Sequence, residues 1–389
     1  MRRLLGVSLA ATLAATISGT VTPAHAEEVP GAANYEISGH GFGHGRGLSQ
    51  YGARAAARDD ATWRRIVDFY YPGTRVGRRG GTLDVLITAA TRATLTVEAQ
   101  QGLTLAVPGK PGVRQRLDRV RPEAGGWRIS SKGKRSVVEY QVRGSWRRLT
   151  AVKGEAEFRG GAEPVTLRLP KGEDASYRGA LRLVDGRTIN VVDLDSYVRG
   201  VVAREMPSHW PKQALRAQAV VARSYAAHER ANSGDADYDL CDNESCQVYG
   251  GADDEVASTD RAVRATRHRT VEFEGRPART EYSASNGGLS STGEFPYLVA
   301  QVDPWEVEDT NPNTRWGPIP FSEAELEEEW PEVGTITTMS FTREGTGDYG
   351  GWITAVTLTG TAGTTTITGE DFAFTLNLRS PWLKVVPVA

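Results

Sequence analysis

From Pro211 to Arg230 the chain reads as one helix that is apolar nearly all the way round. Ala214, Leu215, Ala217, Ala219, Val220, Val221 and Ala222 leave it no polar stripe. Such a helix has no face for water and must lie buried between other layers. Pro211 suits its first turn. Charged side chains on it then need partners or a cleft. Arg216 and Arg223 are seven residues apart, almost two turns, so they share a face. Two readings stand: structural ion pairs, with Glu229, Asp193 or Asp195 as partners, or a pair of cations that holds a polar substrate. Upstream, Glu205 precedes Met206-Pro207, where a helix cannot easily continue. A lone carboxylate at an element end, facing a junction, is a common place for a working acid.

Arg2 and Arg3 precede an apolar run from Leu4 through Ile17, and Ala24-His25-Ala26 offers a small-x-small cleavage site. That is the pattern of a secretory signal peptide over residues 1–26. A membrane anchor fits less well, because the run is short and rich in Ala, Ser and Thr. The protein is expected to be secreted, extracellular or associated with the cell wall. Loss of Arg2 and Arg3 takes the formal net charge from −2 to −4. So near-neutral a chain argues against a nucleic-acid partner. Outside the cytoplasm, Cys241 and Cys246 are expected to form a disulfide that pins one loop. Zinc is the alternative, but it needs further ligands, and none of His40, His44, His209, His228 and His268 lies inside that loop. No metal and no cofactor are expected.

Residues 39–47 alternate glycine with His40, Phe42, His44 and Arg46. Alternating glycine forbids a stable helix and points to unusual dihedrals. His40 and His44 at i, i+4 would suit zinc on a helix, but the glycines remove the helix. A helix is expected from about Ala53 to Tyr70, stopped by Pro72 and Gly73. From Thr82 to Val192 short β-type runs follow, among them Leu83–Ile87, Leu95–Val97, Trp127–Ile129, Val137–Val142 and Val165–Leu169. Asp185-Gly186 between Leu181–Leu183 and Ile189–Val192 signals a hairpin. Ser322-Glu323-Ala324-Glu325 has capping-box form, and the tail is β again over Ile353–Leu358 and Thr364–Ile367. The expected fold class is α+β, with mixed antiparallel sheets packed around the buried Ala-rich helix and a β-rich subdomain. Its expected division is 1–26 signal, 27–81 glycine-histidine segment and helix, 82–174 β-rich subdomain, and 175–389 core.

Glu205-Met206-Pro207, then Ala214-Leu215-Arg216-Ala217-Gln218-Ala219 and Ala222-Arg223-Ser224-Tyr225, closely resemble in order and spacing the core of the stage II sporulation protein D / LytB family, whose members act on peptidoglycan. Cys246-Gln247-Val248-Tyr249-Gly250-Gly251 and Tyr282-Ser283-Ala284-Ser285-Asn286-Gly287-Gly288 resemble two more of its segments. So does the glycine-histidine segment with Ser49 and Gln50, although in the sporulation protein that motif falls near the C-terminus. Here it stands near the N-terminus, and Asn377-Leu378-Arg379-Ser380, which usually precedes it, ends the chain; the order looks like a circular permutation, plausible where the ends are close. Arg216 stands where many members have lysine, which keeps the charge but not the geometry.

The resemblance implies Glu205 as catalytic acid/base. It places Arg216, Arg223, Gln247, Tyr249, Ser285, Asn286, His44, Ser49 and Gln50 around the glycan, though turn chemistry alone would account for the Ser, Asn and Gly residues, and His44, Ser49 and Gln50 suit a purely structural role as well. Relatives that bind zinc at the cysteines add two histidines that this chain lacks. The implied reaction is a lytic transglycosylase cleavage of the bond between N-acetylmuramic acid and N-acetylglucosamine, leaving a 1,6-anhydro end. The muramic acid C6 hydroxyl is the nucleophile, so one carboxylate suffices. A hydrolase would more often need a second, for which Asp193, Asp195 and Asp303 are the candidates. Met206 and Trp210 are expected to wall the acid's pocket. The expected partners are peptidoglycan glycan strands, with a cell-wall amidase as a further one. The alternative function is that of a non-catalytic, glycan-binding amidase enhancer.

Overall fold

The computed structural model describes residues 27–170, 173–234, 236–307 and 311–388. The expected signal peptide lies outside them. The fold is α+β: several mostly antiparallel sheets surround a small group of helices. The helix Lys212–Asn232 is the centre. One side of it, with Ala219, Ala222, Ala226 and Ala227, packs into the core of the two large sheets. The other side, with Ala214, Leu215, Ala217, Val220 and Val221, packs into a second core with the N-terminal helices. Pro211 is its N-cap rather than a residue of its first turn. Alanine at so many positions lets neighbouring elements approach the backbone closely, which explains why the helix carries no polar stripe.

The helix Leu194–Glu205 leads into it. Asp193 caps its start, accepting from the backbone N–H of Asp195 (3.0 Å) and Ser196 (3.3 Å). Its end is set by Pro207, which drives Met206 to extended dihedrals (φ −128°, ψ 139°) and makes Glu205 the last helical residue.

A seven-stranded sheet joins Thr82–Ile87, Arg187–Asp193, Ala180–Val184 and Glu157–Arg159 with three short strands at its margins. A six-stranded sheet, with Arg135–Val142, Gly126–Lys132, Thr94–Glu98 and Val165–Arg168 among its members, packs against it. Position 174 falls at the start of the strand Asp174–Tyr177, and the seven-stranded sheet takes strands from both sides of it. The Asp185-Gly186 hairpin is present, with both residues at positive φ (45° and 75°), as a tight two-residue turn requires. The capping box at Ser322 and Glu325 is formed.

One expected element is corrected. The helix foreseen over Ala53–Tyr70 is two, Gln50–Arg58 and Trp63–Tyr70. Asp59 and Asp60 oppose the dipole at the first helix's C-terminal end, Asp60 takes a positive φ of 60°, and Thr62 caps the second helix.

Near the chain ends, Asn34–Gly39 is the middle strand of a three-stranded sheet between Trp316–Ser322 and Leu383–Val388. The backbone N–H of Gly43 donates to the Arg379 carbonyl (2.8 Å) and that of His40 to the Trp382 carbonyl (2.8 Å). The glycine-histidine segment thus lies against the residues that close the chain.

Candidate active site

Gly41, Gly43, Gly45 and Gly47 all have positive φ, between 62° and 96°. A side chain at Gly43 would lie 2.8 Å from the Ser283 Cβ, and one at Gly47 2.1 Å from the Glu281 carbonyl oxygen. The four glycines therefore let this segment lie flush along residues 281–288. Phe42 and Ser285 exchange two backbone hydrogen bonds (2.8 and 3.1 Å), and Leu48–Ser49 pairs in parallel with Tyr282–Ser283. The contact brings together two stretches more than 230 residues apart in the chain.

A cavity of about 550 Å³ opens where these segments meet the end of the Glu205 helix. Glu205, His44, Gln50, Gln247, Tyr282 and Phe42 line it. The Gln50 side-chain amide donates to the Glu205 carboxylate at 3.4 Å. The Tyr282 hydroxyl and the Val248 backbone N–H also hydrogen-bond to that carboxylate, yet burial outweighs them and raises its pKa. The Tyr282 hydroxyl is aimed by a relay. Tyr197 donates to the Gln247 side-chain oxygen (3.2 Å), and the Gln247 amide donates to the Tyr282 oxygen (3.2 Å). With that oxygen already accepting, the Tyr282 proton is directed to Glu205. Burial holds the Tyr282 phenol well above its ordinary pKa, so it remains a donor.

His44 accepts from the Arg46 backbone N–H at Nδ1 (3.0 Å) and hydrogen-bonds to the backbone of Tyr282. Burial and the Arg46 charge push its pKa down to about 4, so the ring is neutral at pH 7. Two cations line the cavity, Arg46 and Arg279. Arg46 pairs with Glu281 and Glu370, and Arg279 with Glu281 and Glu229. Glu281 is thereby held in ion pairs, while Glu244 stands exposed at the rim. The Cys241–Cys246 disulfide pins the loop that supplies one wall.

Other expected site residues lie elsewhere. Arg223 is fully buried, donating to Asp195 (2.8 Å) and to the carbonyls of Ala219 and Arg269 (3.0 Å each). Asp195 is at the start of the Leu194–Glu205 helix, roughly 15 Å of helix rise from Glu205, so Arg223 faces the wrong end to meet a substrate there. Arg216 lines a separate depression with Trp210, Ser258 and Arg261. Tyr249 is buried, donates to Asn190 (2.9 Å) and packs on Tyr197 and against Gly200, where a Cβ would sit 2.7 Å from its ring. It is an internal post, not a platform in the cleft. Met206 and Trp210 are buried in the second core and do not line the Glu205 cavity. None of Asp193, Asp195 and Asp303 lines it either.

Ser49, Ser285 and Asn286 turn into a buried network on the other side of the paired segments. Ser49 caps the helix Gln50–Arg58, accepting from Gly52 N–H (3.1 Å), and donates its hydroxyl to Glu306. Ser285 (3.1 Å), the Asn286 backbone N–H (3.3 Å) and Asn311 also donate to Glu306. Asn286 (2.9 Å) and Tyr70 (2.6 Å) donate to Asp303. Burial, with Asp303 adding its charge, pushes Glu306 up to about 7. Glu306, Tyr282 and Tyr197 escape a reading of the sequence. The one local signal is that Tyr282 is the aromatic residue at the head of a Ser- and Gly-rich stretch.

Comparison with known proteins supplies the relatives. The stage II sporulation protein family profile matches residues 185–273. An uncharacterized protein of Brachyspira hyodysenteriae is 34% identical over 132 residues, 30% of this chain and 36% of that one. The amidase enhancer of Bacillus subtilis is 32% identical over 112 residues, 27% of this chain and 15% of its own length. The stage II sporulation protein D of Bacillus amyloliquefaciens is 27% identical over 170 residues, 38% of this chain and 47% of its own. The chain thus spans less than half of the length of each of these curated relatives.

Proposed function

We propose that this chain, whose residues 185–273 match the stage II sporulation protein family, is a secreted lytic transglycosylase of the stage II sporulation protein D / LytB type acting on peptidoglycan. The observation that carries this reading is one buried carboxylate of raised pKa, Glu205, in a cavity whose other carboxylates are Glu281, held in ion pairs, and Glu244, exposed at the rim. Protonated Glu205 donates its proton to the glycosidic oxygen as the bond from C1 of N-acetylmuramic acid breaks. The resulting carboxylate takes the proton of the C6 hydroxyl, whose oxygen closes on C1 to form the 1,6-anhydro ring. Glu205 ends protonated, ready for the next cycle. Because the nucleophile belongs to the substrate, no paired enzymic carboxylate is required.

Tyr282 and Gln50 hold the carboxyl group in place and stabilise the carboxylate once the proton has left. Neutral His44 borders the same space, its ring nitrogens held by the backbone of Arg46 and Tyr282, and so shapes the wall without lowering the acid's pKa as a cation would. The circular permutation is part of the same proposal: the closing residues and the glycine-histidine segment that follows them in the sporulation protein's order are adjacent in space.

Mass spectrometry of fragments released from purified sacculi and from peptide-free glycan tests the reading, using wild type and Glu205→Gln. Anhydro-muramic ends from wild type alone support it. Reducing ends instead would mean a hydrolase. Absence of any release, with sacculus binding intact, would favour an amidase-enhancer role like the one named for the Bacillus subtilis relative.

A further inference from the structure

The Glu205 cavity has a neighbour of about 540 Å³ at the other end of the same paired segments. Phe42, His44, Tyr282 and Ser283 face the first cavity; His40, Gly287 and Gly288 face the second. From His44 to His40 is at most roughly 14 Å of chain. Phe42 lies between the two, paired through its backbone with Ser285, and its ring is 47% exposed. What singles it out is its place, at the seam of the two cavities, where it offers an apolar ring to whatever passes between them.

The second cavity carries the features of a sugar site. The His40 ring stacks on Trp382 at 4.5 Å between centroids, and Leu289 adds apolar wall. Gln301, Thr314 and Asp348 supply hydrogen-bonding groups around it. A small apolar area edged by convergent polar groups is the usual composition of a carbohydrate-sized pocket.

On the reading that Glu205 cuts a glycan, the substrate is a polymer and must leave the first cavity on both sides of the broken bond. We propose that one arm of the strand runs over Phe42 into the second cavity, so that the paired segments floor a continuous track for a β-1,4-linked chain of N-acetylated amino sugars. Phe42 is the stacking platform between the two cavities, and the His40–Trp382 wall with Asp348 receives the sugars beyond it. The track lengthens the substrate that the enzyme prefers and helps hold the bond in register over Glu205.

The test uses the Glu205→Gln protein and titration calorimetry with N-acetylglucosamine dimer, tetramer and hexamer. The hexamer should bind about tenfold more tightly than the tetramer. Adding Phe42→Ala, or separately Asp348→Ala, should bring the hexamer-to-tetramer ratio close to one. Both side chains are exposed, and a melting temperature equal to that of the parent verifies the fold. Equal binding of tetramer and hexamer, or a length gain that survives both substitutions, overturns the track while leaving the proposed reaction standing. If no oligomer binds, the track and the glycan reading on which it rests fall together.

Discussion

At the scale of single residues, the proton on Glu205 is set by opposed influences. Burial raises the pKa, and hydrogen bonds from Tyr282, the Val248 N–H and Gln50 work against that rise. Gln50→Ala removes one donor. The alkaline limb of the pH–kcat/KM profile should then move to higher pH, while the plateau falls about fivefold, as the loss of roughly 1 kcal/mol of oriented hydrogen bonding predicts. A profile that does not move would show that Gln50 does not hold the acid.

His44 and Glu306 make a second, opposed pair. Glu306 is raised from 4.5 to about 7, so between these values the folded protein keeps a proton that the unfolded chain has lost, and stability falls as pH rises through the window. His44 is lowered from 6.5 to about 4, so stability is lost as pH falls through that window. The two offset one another between about pH 4.5 and 6.5. Urea midpoints at pH 7 and pH 5, each variant read against wild type, separate the two contributions. Glu306→Gln should lose stability on acidification and His44→Asn should gain it. The Glu306 contribution is on the order of 3 kcal/mol across its window.

At the scale of elements, the Lys212–Asn232 helix separates its two arginines. Arg223 is fully buried and held by Asp195. Asp195→Asn leaves that guanidinium without its counter-ion and should cost about 3–5 kcal/mol in denaturant unfolding. Arg216 is partly exposed and away from the Glu205 cavity. Arg216→Ala should change stability by less than about 0.5 kcal/mol and leave glycan cleavage at the wild-type rate. A large loss of cleavage in that variant would restore Arg216 to the substrate site. Of the two readings open to a shared helical face, the structure thus supports the ion pair for Arg223 and neither for Arg216.

At the scale of the whole molecule, the site depends on both ends of the described chain. The strand Leu383–Val388 flanks Asn34–Gly39, which delivers the glycine-histidine segment to the cavity. Ending the chain before Leu383 removes two buried core side chains, Leu383 and Val385, worth about 3–6 kcal/mol together. Such a truncation should lower Tm and abolish cleavage, although it stands far in sequence from Glu205. Retention of full activity would mean that the segment is held without the closing strand.

The sequence by itself was sufficient for features that depend on near neighbours in the chain. The apolar Lys212–Asn232 helix, the end of a helix at Glu205 before Met206-Pro207, the Asp185-Gly186 hairpin and the Ser322 capping box all follow from periodicity or from the dihedral limits of proline and glycine. The sequence also marked Gln50, which meets Glu205 across 155 positions, but only through family likeness. What the tertiary structure alone decided is where each polar face points. Helical spacing says that Arg216 and Arg223 share a side; it is silent on which element that side meets. Tyr282, Gln247 and Tyr197 form a relay, and Glu306 binds groups from three separate stretches, because sheets and helices distant in the chain bring them within hydrogen-bond reach.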